Sequence, residues 1–436
     1  MSYPRVLVVS IGRINASDTA NNGLLLRNLF GSWPRENLAQ IYSSGDNGDD
    51  GFFGHYYQLR AKDRRMGSLF FQLKSRSQNE SATEHAPLGV KHTSISLKTF
   101  SKRLLVDSGL YELIFRPRLS REMIEWVKDF QPGIILAQGY NLALTWLPMM
   151  LSENFRLPIA YYPTDDWPSD LYRNTRVRPQ FITKWVRRLV EKSSCQLVKS
   201  SAVRIAFNPY MKETYDERYG VDFSLLMHGD DLNRFASVEP HRLAATGIFS
   251  IVCTGVFDHH RLPLLHDFEQ ACEKLTNRGL KVHAMVFPVN FPLSDPGTFK
   301  HLHFASCPSH NDLASILRGA DILFLPERFD ETAKDIRLCI SSKAHLFMFS
   351  GRPTVVYSDP ITGIARYARR EEWAEVVDRQ DTDLLAATIE GLINDAAARK
   401  RLSEKAFLVA QKNHDLNAIQ STFYELMSTA TQHKKD

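Results

Sequence analysis

Lys343 lies in the run Ile340-Ser341-Ser342-Lys343-Ala344-His345-Leu346-Phe347-Met348-Phe349, a polar turn leading into a helix. A Gly351-Arg352-Pro353 turn follows and opens the apolar run Thr354-Val355-Val356-Tyr357. A helix start offers unsatisfied backbone N–H groups and the positive end of its dipole. A lysine beside hydroxyls adds a point charge and further donors. This order of parts suits a nucleotide diphosphate, with Lys343 facing the charge and Ser341 and Ser342 orienting it. His259, His260 and His266 surround a proline-containing loop without a matching ligand cluster, so they read as solvated histidines and no metal is expected.

Parallel sheets must position such a turn, because short apolar runs followed by helical patterns recur along the chain. Val6 to Ile11 predicts the first strand, with a polar loop from Gly12 to Gly23 and a helix from Leu24. Gly133 to Ala137 and Pro158 to Tyr162 predict later strands, separated by an apolar helix from Ala143 to Leu151. Cys195 to Ser200 and Val203 to Phe207 read as weaker strands, and Pro209 to Tyr219 as a helix. A second series runs through Phe249 to Gly255, Val282 to Phe287, Ala320 to Pro326 and Thr354 to Tyr357. The stretch between the series is polar and strand-poor, placing a junction near residue 235: an N-terminal Rossmann-like domain over 1–235 and a C-terminal one over 236–436. The last helix, Leu402 to Met427, is free to fold back across that junction.

A chain of 436 residues exceeds what one core usually organises, and two domains of about 200 residues each are the natural division. Its 54 basic against 49 acidic residues give a formal charge of +5, which mildly favours anionic partners without a nucleic-acid signature. The five cysteines, Cys195, Cys253, Cys272, Cys307 and Cys339, are scattered and odd in number. They suggest neither a disulfide framework nor zinc, and a reducing cytoplasm fits. No run reaches the roughly 18 apolar residues of a membrane span. Residues 74–95 are polar and aperiodic and read as a flexible excursion. Around them Lys62, Arg64, Arg65, Lys74 and Arg76 flank Met66, Leu69, Phe70, Phe71 and Leu73, and Lys98, Lys102 and Arg103 precede Leu104, Leu105 and Val106. Basic residues beside bulky apolar ones suit peripheral contact with the inner face of a membrane, or ordinary amphipathic packing.

The chain resembles the GT-B glycosyltransferases, and within them glycosyltransferase family 4 of bacterial surface-polysaccharide assembly. The marks run in order along most of it: Asn21-Asn22-Gly23 followed by Asn28 to Pro34, Leu38 to Tyr42, Asp165-Asp166-Trp167-Pro168, Tyr215 to Gly220, Ser342-Lys343, and Ser350 to Pro353. The resemblance implies two Rossmann-like α/β domains facing a central cleft. The donor would lie at the strand ends of the second domain and the acceptor in the first. Gly255 would let backbone approach the diphosphate, and Arg261 is similar in position to the family's phosphate-binding arginine, with Lys343 as its partner. A solvated loop arginine is the plainer alternative for Arg261. Asp330 and Glu331 resemble the acidic position used on donor hydroxyls or sugar, but the second glutamate of the family's pair would fall at Cys339 and is absent. Asp165 and Asp166 stand where relatives carry a His-Asp pair facing the anomeric centre, or else cap a helix at Trp167-Pro168. Asn21, Asn22 and Gly23 would form the βα turn at the cleft floor.

The resemblance thus implies a metal-independent, retaining hexosyltransferase without a cofactor. It would move sugar from a nucleotide diphosphate donor to a lipid-linked or oligosaccharide acceptor. A nucleotide-sugar epimerase and a non-catalytic nucleotide- or glycan-binding subunit are the alternatives, since fold alone does not carry activity.

Overall fold

The computed structural model describes residues 3–18, 21–45, 50–65, 110–114, 116–170, 180–290 and 298–432. The excursion at 74–95 and most of the basic and apolar residues around it, from Met66 to Val106, lie outside the described residues.

Short aliphatic runs bounded by glycine, proline or polar residues form the central strands, buried on both faces as expected where helices cover a parallel sheet, and shorter, partly exposed strands flank them. In the first sheet these are β1 (Val6–Gly12), β2 (Leu38–Ser44), β3 (His55–Gln58), β4 (Ile134–Ala137), β5 (Ile159–Tyr161), β6 (Val203–Ala206) and β7 (Ser224–Leu225). All pair in parallel, in the order β3-β2-β1-β4-β5-β6-β7. The second sheet holds β8 (Phe249–Val256), β9 (Val282–Asn290), β10 (Leu302–Phe304), β11 (Ile322–Pro326), β12 (Thr354–Tyr357) and β13 (Glu375–Val377), also parallel, in the order β10-β9-β8-β11-β12-β13. In each, strand order reverses once, between β1 and β4 and between β8 and β11. In open α/β sheets neighbouring loops diverge at such a reversal, and ligands bind there, outside the C-terminal strand ends.

The chain divides into two units, Met1–Leu226 with Gln420–Asp436, and Met227–Ile419. In the first, Val6 to Val9 and Ile134 to Ala137 are fully buried at the sheet centre. Buried Gln40 fastens the loop after β1: its Nε2 donates to Ser10 Oγ at 2.7 Å and to the Gly12 carbonyl at 2.8 Å, and its Oε1 accepts from Ile14 N at 3.1 Å. The returning C-terminal segment packs Phe423 and Tyr424 against Phe30 and Trp33. The core of the second unit centres on Phe268 stacked 4.3 Å from Phe324, beside Cys253, Leu264 and Cys272.

Three expectations change. Cys195 to Ser200 is the last part of the helix Gln180–Ser200, because Val186, Val190, Leu197 and Val198 bury one helical face and the short apolar run is only a piece of it. Asn21, Asn22 and Gly23 begin the helix Asn21–Leu29 and are not a loop. The final helix is two, Ala396–His414 and Leu416–Gln432, broken at Asp415, whose carboxylate accepts from Asn417 N at 3.0 Å. No described helix is long and apolar enough to cross a membrane.

Both passages of the chain out of the second unit are tied together inside it. Asp230 N donates to the His414 carbonyl at 3.1 Å, and Leu416 N to the Asp230 carbonyl at 3.2 Å. His414 is 2% exposed. Its Nδ1 donates to the His228 carbonyl at 2.5 Å, which leaves Nε2 as acceptor for Tyr367 OH at 3.0 Å and fixes a neutral ring. His345 stacks between His414 and His228 and stands 3.9 Å from the Asp230 carboxylate, itself paired with Arg234. Burial lowers His414 to about 4 and His228 to about 3. An unfolded chain takes up these protons near the ordinary histidine value of 6.5, before the folded chain does. Stability is therefore complete above that value and is lost as pH falls from it toward 4. Melting temperature should drop over this window, and His414→Gln should flatten the slope in a thermal melt series from pH 7.5 to 4.5.

Candidate functional site

The crevice of the second sheet is built by β8 and β11 together. β8 reaches Gly255, whose φ of 140° lies beside a register irregularity. A Cβ at this position would stand 2.5 Å from Lys343 Nζ, so glycine is what admits the ammonium. Lys343 is half-buried at the start of the helix Lys343–Phe349, anchored by buried Ala344, Phe347 and Met348, and Ala344 N closes the turn on the Ser341 carbonyl at 2.9 Å. Ser342 occupies the N-cap without a side-chain cap. Arg261 precedes the helix Leu262–Asn277, its N–H held by Asp258 Oδ1 at 3.0 Å. Its Nη2 and Nε both donate to Glu327 Oε2, at 2.7 and 3.2 Å. Glu327 follows β11 directly and is 3% exposed.

Burial pulls the Lys343 ammonium below the usual lysine range; Glu327 works against this, and Arg261 adds to it. Burial also pulls Arg261 down, but Glu327 and Asp258 outweigh it and leave the guanidinium raised. Arg328 stands 3.9 Å from Asp258. Lys343, Arg261 and Arg328 are thus gathered around Glu327 and Asp258, a concentration of cations that suits an anion. Beneath them burial pushes the Cys253 thiol up to about 12, so it stays protonated and contributes no charge. Asp330 caps the short helix Glu331–Ile336 through Thr332 N at 3.0 Å and accepts from His260 Nδ1 at 2.5 Å. Burial pushes its carboxyl up, but Thr332 and His260 outweigh that and hold it lowered. His260 therefore has a structural partner, while His259 and His266 are exposed, as is Glu331.

In the first sheet the corresponding reversal carries mostly uncharged groups, with one exposed carboxylate beside them. Asn22 and Gln138, at the ends of β1's helix and β4, exchange two hydrogen bonds of 2.9 and 2.6 Å. Gly139 and Tyr140 follow with φ of 85° and 76°. A side chain on Gly139 would strike the Trp167 indole at 2.6 Å. Tyr140 is not glycine, and its backbone stores strain of about 1–3 kcal/mol; its hydroxyl bonds Thr164 Oγ1. Burial raises this phenol, and neighbouring Asp165, which is exposed, raises it further. Strained, polar and next to an exposed carboxylate, Tyr140 has the marks of a functional residue.

Asp166 departs from its expected catalytic place. It is 2% exposed; Arg218 grips both its oxygens at 2.7 and 3.1 Å, and Tyr215 OH donates at 3.0 Å. A carboxylate so occupied ties the loop after β5 to the helix Pro209–Tyr219 and is poorly placed to take a proton from a substrate. The sequence reading also missed Glu327, Asp258, Gln138 and Tyr140. The available signal for Glu327 was its place immediately after an apolar strand; for Tyr140, the glycine before it.

No family model and no curated protein matches the sequence. Solved structures do match its fold. HepE from Anabaena, in complex with UDP and glucose, is 11% identical with a TM-score of 0.60, over 98% of this chain and 100% of its own. The α,α-trehalose 6-phosphate synthase from Burkholderia multivorans is 13% identical with a TM-score of 0.61, over 99% and 98%. WaaG, a glycosyltransferase involved in lipopolysaccharide biosynthesis, is 11% identical with a TM-score of 0.56, over 97% and 99%. The chain has the two-Rossmann-domain GT-B glycosyltransferase fold that the resemblance implied.

The two aspartates should separate by stability. Asp166→Asn strands a partly buried Arg218 and should cost about 2–3 kcal/mol in urea unfolding, below a fully buried pair because Arg218 is partly exposed. Asp165→Asn should stay within about 0.5 kcal/mol.

Proposed function

We propose that this chain is a retaining glycosyltransferase of the family 4 kind, moving a sugar from a nucleotide diphosphate donor to a lipid-linked or oligosaccharide acceptor. The observation that carries the reading is the juxtaposition of Gly255, Lys343 and Arg261 at the β8/β11 reversal, with Arg261 preset by Glu327. A compact ammonium and a planar guanidinium would offset the charge of the departing diphosphate, so the chemistry asks for no metal or cofactor. HepE, a structural neighbour, binds UDP and glucose, which supports a nucleotide sugar as the donor.

In this reading the second unit binds the donor and the first the acceptor. Ser341 and Ser342 orient the diphosphate. Asp330 and Glu331 face donor hydroxyls, with Asp330 held by His260 in an orientation fit for that. Asp165 attends the acceptor hydroxyl or the positive charge that develops on the sugar, and Asp166 positions it. Asn21, Asn22 and Gly23 support the acceptor through the Asn22–Gln138 pair. The protein would work in the cytoplasm, at the inner face of the membrane where its acceptor is anchored.

Purified protein mixed with a panel of nucleotide sugars, without acceptor or added metal, should slowly release the nucleoside diphosphate from one donor. Lys343→Ala should lower release at least tenfold with an unchanged melting temperature in the absence of donor. Donor-induced stabilisation without release, even after lipid extract is added, would instead mark a binding subunit.

A further inference from the structure

The first unit carries a cavity at the opposite ends of its strands from Tyr140 and Asp165. Helices Leu142–Phe155 and Gln180–Ser200 both contribute to the lining of a volume of about 1020 Å³. Ile159, in its wall, opens β5, and Ser200 ends its helix just before β6, so the cavity belongs to the N-terminal strand ends. Part of its wall is apolar, formed by Trp146, Met149, Met150, Ile159 and Leu189, with Trp146 Nε1 donating to Ser193 Oγ at 3.0 Å, and the rest is polar.

Four cations line it, Arg65, Arg116, Lys192 and Lys199, against Glu153 as the one carboxylate among the described lining residues. Arg65 N donates to the Arg116 carbonyl at 3.0 Å, which sets the two arginines side by side, and the Arg116 guanidinium lies 4.4 Å over the Trp146 ring. None of the four has an ion-pair partner among the described residues. Along the second helix Phe181, Lys184, Trp185, Arg188 and Lys192 recur at spacings of one helical face, and that face ends at the cavity. Phe181 is 70% and Trp185 55% exposed. Large aromatics left in water between cations match the boundary between lipid headgroups and acyl chains.

We propose that this cavity binds a phosphate-bearing lipid drawn from a bilayer against which the Phe181 and Trp185 face rests. The phosphate sits among the arginines and lysines, and the start of the chain lies along Trp146, Met149 and Met150. Arginine forks match phosphate oxygens in pairs, and the apolar wall gives a reason for an attached chain that a free anion lacks. This site is separate from the crevices at the C-terminal strand ends and does not depend on the transferase reading.

Calorimetric titration of the full chain with dodecyl phosphate, below its micelle concentration, tests the proposal beside inorganic phosphate and dodecyl maltoside. One saturable site for dodecyl phosphate is expected, bound at least tenfold more weakly by the Arg116→Gln/Lys192→Gln double variant and unchanged in Lys343→Ala. Vesicles of phosphatidylcholine with phosphatidylglycerol should carry the protein in flotation, several-fold less after Phe181→Ser/Trp185→Ser. Equal binding of dodecyl maltoside or inorganic phosphate by the wild type would overturn the proposal without recourse to any variant. So would undiminished binding by the double variant, or flotation indifferent to phosphatidylglycerol.

Discussion

A buried carboxylate that holds a cation is the interaction on which the second unit's site depends. Glu327 is placed by the sheet: β11 pairs with β8 through Ile322 with Ile251 and Phe324 with Cys253, so the residue after β11 emerges beside the end of β8. There it takes two donors of Arg261 and raises the charged fraction of the desolvated Lys343. Without a negative partner, two cations brought this close would repel each other and favour loss of the lysine proton. With one, the guanidinium is oriented before any ligand arrives, and a preset dipole or charge needs no reorganisation at the moment of reaction.

The two sheets solve the same topological problem with different chemistry. Each reverses its strand order once and opens a crevice there. The first fills its reversal with amides, a strained tyrosine and one exposed aspartate; the second fills its own with arginine, lysine and glutamate. Neutral donors and acceptors suit hydroxyl-rich molecules, whereas concentrated cations suit phosphate. That contrast supports the proposed placement of the acceptor in one unit and the donor in the other. Inside the second unit neutral histidines bridge the two passages of the chain, with Gly229 squeezed against Ile419 and the His414 carbonyl so that no other residue fits.

The alternating fold was legible because buried parallel strands are short apolar runs that need no partner information to recognise. Thr354 to Tyr357 and Pro209 to Tyr219 have the bounds read from the sequence. The short edge strands β3, β7, β10 and β13 were not, since two to four residues carry no period. Cys195 to Ser200 misled because the adjacent Leu197 and Val198, which belong to the buried face of a helix, also read as the centre of a short apolar strand. Within the site, Lys343 and Gly255 stood out through local pattern, and the structure brings them together. Glu327 was illegible as a partner of Arg261, because the two are 66 residues apart and meet only through strand order. The fate of Asp166 was hidden for the same reason: Arg218, 52 residues later, claims it.

The central claim is that Lys343 and Arg261 form a diphosphate site, and calorimetry addresses it most directly. Wild type and Lys343→Ala would each be titrated with nucleoside diphosphates and with the matching nucleosides. Losing one cation of a desolvated pair typically costs at least about 2 kcal/mol, so affinity for the preferred diphosphate should fall roughly 30-fold or more while nucleoside binding stays unchanged. Equal diphosphate affinity in the two proteins would contradict the assignment of the site.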